Sequence, residues 1–342
     1  MSATFTKRKA RISIGLGVTG NCNNTCKFCY SKPLRGHFIE KGDIVRLLNM
    51  FHVKSVNFGV GESVLHPDFR EIINCFWDHG SKMSLTSNGS TVLALEEDYL
   101  LMMNDVDLSL DYSTKEKHDS LRGTGSFEQV LAAAKKLSSL NIETSFVTCL
   151  TRENINDVLN IAYLAAEYNA NLRINRIKTD NRELVPTHEE YWKFIENLFS
   201  KTKVIACSEP IVNARIGHKT LNGGSVCGNK SFRIMPNNEI RGCTYIPSSI
   251  SLYSITDAEM QKACEVINEH CDCNKFIPAE CLDCEQVGIC KGGCRAFRWF
   301  SGDEHKKDYL CYSKNPAPMD VEFDTAKDLV HSEYICTIIV KA

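Results

Sequence analysis

Apolar and polar positions along residues 11–200 repeat with two periods that take turns. Short runs rich in β-branched and aromatic residues alternate with longer runs whose apolar residues return every three or four positions, the patterns of strands and amphipathic helices. "RISIGLGV" (11–18) reads as the first strand. "DIVRLLNMF" (43–51) reads as a helix and "SVNFGV" (55–60) as the second strand. "DFREIINCFWDHG" (68–80) is a helix with Phe69, Ile72, Ile73 and Phe76 on one face and Gly80 as its stop. "KMSLTS" (82–87) is the third strand, "EEDYLLMMN" (96–104) a helix, "VDLSLD" (106–111) the fourth strand and "SFEQVLAAAKKLSSL" (126–140) the next helix. "ETSFVTCL" (143–150), "INDVLNIAYLAAEY" (155–168) and "NLRINRI" (171–177) continue as strand, helix and strand. "THEEYWKFIENLF" (187–199) opens on a capping box, Thr187 with Glu190. Six strand–helix units in succession predict an α/β fold, a partial (β/α)6 barrel with a parallel sheet. Functional loops in such folds sit at the carboxyl ends of the strands.

The pattern changes near Cys207. Cysteine, glycine and proline become dense, and twelve of the 17 cysteines lie at or beyond 207. A boundary in 200–207 divides the chain into a barrel, 1–205, and a small cysteine-rich domain, 206–342. Within the latter, "FRIM", "PNN" and "EIRG" read as a β-hairpin that brings Cys227 and Cys243 together at its open end.

Composition narrows the class. The 342 residues are 43% hydrophobic, ample for a buried core. Forty basic and 42 acidic residues leave a net charge of -2, which argues against bulk binding to nucleic acid or an anionic membrane. No apolar stretch approaches the roughly 18 residues of a membrane helix. The basic N-terminus carries no signal-peptide pattern, so the expected location is cytoplasmic. Clustered cysteines in a reducing compartment point to metal or catalysis, not to a disulfide scaffold.

The first such cluster directly follows the first strand. "GNCNNTCKFCYS" (20–31) places Cys22, Cys26 and Cys29 in a C-x-x-x-C-x-x-C spacing. A closed zinc site takes four protein ligands, usually from two pairs, and no second pair lies near this loop. Three thiolates can hold three corners of a [4Fe–4S] cube and leave the fourth iron free. The structural alternative is zinc or coincidence.

The context resembles the radical S-adenosylmethionine (SAM) enzymes. Phe28 stands at the aromatic position between the last two cysteines. "FGVGES" (58–63) is similar to the family's Gly-Gly-Glu-Pro segment, with Gly61 and Glu62 matching and Val60 and Ser63 departing. "TSNG" (86–89), with Asn88, looks like the strand-three segment near the sugar. "LSLDYSTKEKHDSLRGTGSFEQVL" (108–131) resembles the fourth-strand block, with Ser109, Asp111 and Arg122 where members hold the ribose or the carboxylate. The resemblance implies that SAM chelates the open iron and that one electron from the cluster splits it, yielding a deoxyadenosyl radical that takes hydrogen from the substrate. A flavodoxin or ferredoxin would be the electron donor.

A second resemblance lies in "CLDCEQVGICKGGC", which spaces Cys281, Cys284, Cys290 and Cys294 as C-x₂-C-x₅-C-x₃-C, with Cys311 beyond and Cys227 and Cys243 upstream. Seven cysteines so spaced resemble the SPASM extension, which carries auxiliary [4Fe–4S] clusters. Carried over by position, Cys281, Cys284, Cys290 and Cys311 hold one cluster and Cys227, Cys243 and Cys294 the other. Asn238 stands where the family has a glycine and also tolerates a left-handed backbone. Some relatives supply a fourth cysteine where this chain has Leu221. Either Cys207 reaches in or one iron stays open. The alternative is a zinc ribbon of 281, 284, 290 and 294, which leaves the other three cysteines unexplained.

Cys75 and Cys336 read as packing residues, and Cys271 and Cys273 form only a weak C-x-C. Cys149 ends the fifth strand and is a candidate hydrogen donor at the barrel mouth, as in radical peptide epimerases, against the reading of an inert buried thiol. The expected function is maturation of a ribosomally made precursor peptide by crosslinking, epimerisation or residue excision. Only 21 residues precede Cys22, too few for a winged-helix recognition domain, so a separate leader-peptide-recognition protein is the expected partner. Thr244 stands where sulfatase-maturing relatives carry an aspartate. Maturation of a tetrapyrrole or other small cofactor, suggested by "GGCRA" (292–296), and a non-catalytic metal-binding interaction module are the alternatives.

Overall fold

The computed structural model describes residues 11–219, 223–225, 227–228, 231–247, 250–254, 256–312, 319–324, 329 and 336–342. Leu221 lies outside them, and side chains at 264, 271 and 273 are not described.

Six parallel strands stand side by side in chain order: β1 (Arg11–Leu16), β2 (His52–Phe58), β3 (Lys82–Ser87), β4 (Asp105–Ser109), β5 (Glu143–Leu150) and β6 (Asn171–Arg176). At least one helix follows each, including Lys41–Met50, Phe69–Asp78, Ser126–Ser139, Val158–Glu167 and His188–Phe199. Near-continuous burial along the strands, as in the three consecutive buried residues of β3, is what a sheet covered on both faces requires. The helix Phe69–Asp78 seats Phe69 and Phe76 edge-on against Phe58 of β2, with ring centroids 5.3 and 5.6 Å apart. Burying each such ring contributes about 1.5–3 kcal/mol. Gly80 takes φ 75 just beyond this helix, the left-handed stop that its sequence position suggests. The capping box of Thr187 and Glu190 forms.

The sheet extends at both edges with residues from beyond 200. β7 (Lys203–Cys207) occupies the segment expected to be a boundary. β8 (Ser231–Ile234) runs parallel to β1 and forms the expected hairpin with β9 (Glu239–Arg241), with Asn238 at φ 64. β10 (Ile250–Ser251) adds to β9. β11 (Ile338–Lys341) inserts antiparallel between β6 and β7. The strand order is β10-β9-β8-β1-β2-β3-β4-β5-β6-β11-β7, an open sheet of the partial-barrel kind. Side chains from β1 to β6 and from β8 reach a single cavity, which requires the sheet to curl around it. Among the described residues no helix is long and apolar enough to cross a membrane.

The cysteine-rich segment is bolted to the sheet by buried polar contacts. Arg176, at the end of β6, donates to Glu209 (2.6 Å) and to both oxygens of Asp308 (2.8 and 3.2 Å), and its guanidinium lies 4.0 Å from the Phe297 ring centroid. Trp192 donates through Nε1 to the Leu310 carbonyl at 2.8 Å.

Candidate active site

The cavity inside the curled sheet has a volume of about 270 Å³. Cys22, Cys26, Cys29 and Phe28 line it, as do Lys178, Arg233, Thr244 and Tyr245. Asn57, Gly61, Glu62, Asn88, Asp107, Ser109, Arg122 and Cys149 come from the strands and the loops after them.

The three-cysteine loop is pinned before any ligand enters. Gly20 donates to the His37 carbonyl at 2.9 Å, and Lys27 donates to the carbonyl of Leu121 at 3.2 Å. Asn88 Nδ2 lies 3.6 Å from the Cys22 sulfur and Arg122 Nη1 lies 3.9 Å from that of Cys26. Burial pushes both thiols up, and for Cys22 the neighbouring sulfurs add to it. Arg122 opposes that shift at Cys26. Soft anionic donors that burial and mutual repulsion disfavour need a cationic centre to stabilise them. Thiolates suit an iron–sulfur cluster, and the donor set fits a cluster held at three corners. Among the described residues no three acidic, histidine or cysteine side chains close around a single ion.

The residues after β2 serve mainly to shape the wall. Gly61 sits at φ 62, and a Cβ there would come within 2.4 Å of the Thr19 carbonyl oxygen and 2.5 Å of that of Asn21. Only glycine fits this approach. Val60 also adopts a positive φ, 76, an outlier for a β-branched residue and a mark of local strain. Glu62 is fully buried. It accepts from the backbone of Asn88 (2.9 Å) and Thr91 (2.8 Å) and from the Ser87 hydroxyl, so it clamps the loop after β3 to the end of β2. Asn88 continues that network, donating to Asn23 Oδ1 at 2.8 Å and accepting from Gln129 at 2.9 Å.

Asp111 does not line the cavity. It is wholly buried behind Arg122, with which it forms an ion pair, and accepts from the Cys149 backbone at 2.8 Å. Its own N–H donates to His118 Nδ1 at 3.2 Å. Burial, aided by the Arg122 charge, pushes the His118 pKa down to about 4, which keeps the ring neutral and able to accept. Burial works against the Arg122 charge, but Asp111 and the Cys26 sulfur outweigh it. Arg122 also faces Phe28, 5.5 Å from its ring centroid. Cys149 lines the cavity, and burial with the nearby Asp111 pushes its thiol up to about 12. Ser109 lines the cavity at the end of β4.

The C-terminal cysteines form two groups. Cys281, Cys284, Cys290 and Cys311 lie close enough that each of Cys281 and Cys311 has its thiol raised by burial and then by Cys290. Cys227, Cys243 and Cys294 gather elsewhere, and a fourth thiol joins them. Cys336 is in hydrogen-bond contact with Cys227 and Cys294, and Cys227 with Cys243. Cys207 instead lies beside Glu209 and Tyr191, with its thiol pushed up by burial. Cys75 is half-buried at the edge of the core.

Sequence reasoning passed over Arg233, Lys178, Asp107 and Tyr245. Lys178 was the most accessible of these, because it directly follows the sixth strand. Arg233 lies inside the apolar run "FRIM", where a charge has to face something polar. Cys336 offered no spacing signal.

Residues 16–165 match the Radical SAM superfamily. Mycofactocin maturase MftC of Mycobacterium tuberculosis is 27% identical over 321 residues, covering 86% of this chain and 80% of its own. The antilisterial bacteriocin subtilosin biosynthesis protein AlbA of Bacillus subtilis is 26% identical over 336 residues, covering 89% and 71%. Among solved structures, Streptococcus suis SuiB bound to precursor peptide SuiA shares the fold with a TM-score of 0.69 at 12% identity, over 89% of this chain and 76% of that one.

Proposed function

We propose that this chain, a radical SAM enzyme by its residues 16–165, is a maturase acting on a ribosomally made precursor peptide. The observation that carries the reading is a single cavity lined by Cys22, Cys26 and Cys29 together with Lys178, Arg233 and Tyr245. A relative named as a mycofactocin maturase and one named for subtilosin biosynthesis, each similar along most of the chain, support it, as does the shared fold of SuiB, solved with a precursor peptide bound.

In this reading Cys22, Cys26 and Cys29 would hold a [4Fe–4S] cluster, and Phe28, Gly61, Glu62, Asn88, Ser109 and Arg122, which line the same cavity, would hold SAM. The bound pair supplies the electron and the carbon radical that takes hydrogen from the peptide. The chain's own residues orient and shield. Asp111 fixes Arg122 beside Cys26, and Glu62 and Asn88 hold the loops against the cluster loop. Cys149 keeps its proton at neutral pH and faces the cavity. For an epimerisation outcome it returns a hydrogen atom to the substrate carbon, and one electron and one proton from a flavodoxin- or ferredoxin-type donor restore the thiol. The segment 206–342 is read as a SPASM-type domain with two auxiliary [4Fe–4S] clusters, one on Cys281, Cys284, Cys290 and Cys311, the other including Cys227, Cys243 and Cys294. A separate leader-peptide-recognition protein and a cytoplasmic location complete the proposal.

The test is anaerobic reconstitution with reductant, SAM and candidate precursor peptides. Deoxyadenosine and a mass change in the peptide are expected, and Cys26→Ala should abolish both. Zinc without iron would overturn the reading. So would deoxyadenosine output that answers to a porphyrinoid and not to any peptide.

A further inference from the structure

We infer that Cys336 completes a four-thiolate site with Cys227, Cys243 and Cys294, so that this auxiliary site is closed by protein and offers no iron to substrate. The inference rests on the auxiliary-cluster reading above and goes beyond it, because the cysteine spacing gives that site only three ligands.

Four sulfurs meet here from four distant parts of the chain. Cys227 lies four residues before β8, Cys243 two residues after β9, and Cys294 just before the helix Arg295–Phe300. Cys336 lies two residues before β11. All four are buried in the same core. Cys336 is the hub, in hydrogen-bond contact with both Cys227 and Cys294, and Cys227 reaches Cys243. All four are free thiols.

Cys336 is held at this place by more than its own contacts. Thr337 donates its hydroxyl to the Ile174 carbonyl at 3.2 Å and exchanges hydrogen bonds with Ser208, its carbonyl accepting at 2.8 Å and its N–H donating at 3.2 Å. Ile338 is in register with Ile174 of β6 and Cys207 of β7. That register pairs the Cys207 backbone with β11, while its side chain lies beside Glu209 and Tyr191 and not among the other thiols.

The surroundings suit a negatively charged cluster. Lys178, partly buried with its ammonium donating to the Arg176 carbonyl at 2.9 Å, faces Cys294, Glu209 and Cys336. Arg233 faces Cys227. Lys178 and Arg233 also line the substrate cavity, as do Thr244 and Tyr245, which directly follow Cys243. The site therefore stands behind the cavity wall. A closed cluster in that place can pass electrons to or from the cavity but cannot ligate a substrate heteroatom.

The full-length chain carrying Cys22→Ala, Cys26→Ala and Cys29→Ala isolates the auxiliary sites. After anaerobic reconstitution it should hold roughly eight irons, two four-iron clusters. Adding Cys336→Ser should lower the iron content by up to about four or change one cluster's paramagnetic resonance signal. Cys207→Ser should do neither. In this triple variant, cyanide should leave both auxiliary signals unmoved, because no auxiliary iron lacks a protein ligand. Adding Cys336→Ala should make one of them respond. A cyanide shift in the triple variant overturns the inference even if the Cys336 variants fail to fold. Unchanged iron and signals in Cys336→Ser, with loss in Cys243→Ser, overturn it while leaving a three-ligand cluster. Unchanged iron in both would overturn the auxiliary-cluster reading itself.

Discussion

At the scale of single residues, side chains expected near the cofactor also hold others in place. Glu62 spends its carboxylate on Ser87, Asn88 and Thr91, and Asp111 spends its own on Arg122 and the Cys149 backbone. Their positions were legible in the motif segments, but their partners were not, because those partners come from neighbouring strand ends that only the sheet brings close. His118 gives a pH-dependent test of this network. Its pKa of about 4 in the folded chain lies below the ordinary value of 6.5. The unfolded chain therefore binds the extra proton first as pH falls. The stability contributed by the neutral ring is complete above about 6.5 and is lost as pH drops through about 4. Urea midpoints measured across that window should fall for the parent chain and fall less steeply for His118→Gln. Equal slopes would show that the ring is not held neutral.

At the scale of elements, the strand–helix alternation in residues 11–200 is largely what the apolar periods say, because each unit is local and buries one face. The strand Lys203–Cys207 and the strand Ile338–Lys341 escaped notice. Each is short, and its pairing depends on partners more than a hundred residues away or across the chain's irregular half. β11 has no free edge, since β6 and β7 flank it on both sides. Ile339, in register with Arg173 and Ala206, is wholly buried. Ile339→Pro removes a ladder donor and orphans a carbonyl, at a cost of about 1–3 kcal/mol. The strand edges it exposes invite association. A lower denaturation midpoint together with a higher oligomeric fraction on size-exclusion chromatography is the expected result. A monomer of parental stability would show that β11 is dispensable.

At the scale of the whole molecule, the curled sheet and the cysteine-rich segment act as one body because Arg176 bridges Glu209 and Asp308 in a buried site. Nothing in the sequence pairs these three, since charge patterning reads neighbours and not cross-domain contacts. Asp308→Ala leaves the guanidinium with half its counter-charge, and breaking a buried pair from one side costs about 3–5 kcal/mol. Limited proteolysis should cut first within 279–312, before the barrel strands are touched; simultaneous cleavage everywhere would mean that the bridge does not join separate parts. The placement of β11 also sets a timetable for biosynthesis. Nascent chains order from the amino end, yet the gap between β6 and β7 is filled only by residues 338–341. Residues 338–341 must therefore leave the ribosome before the sheet described here can be finished. Until then a chaperone would meet the chain with that slot between β6 and β7 still bare.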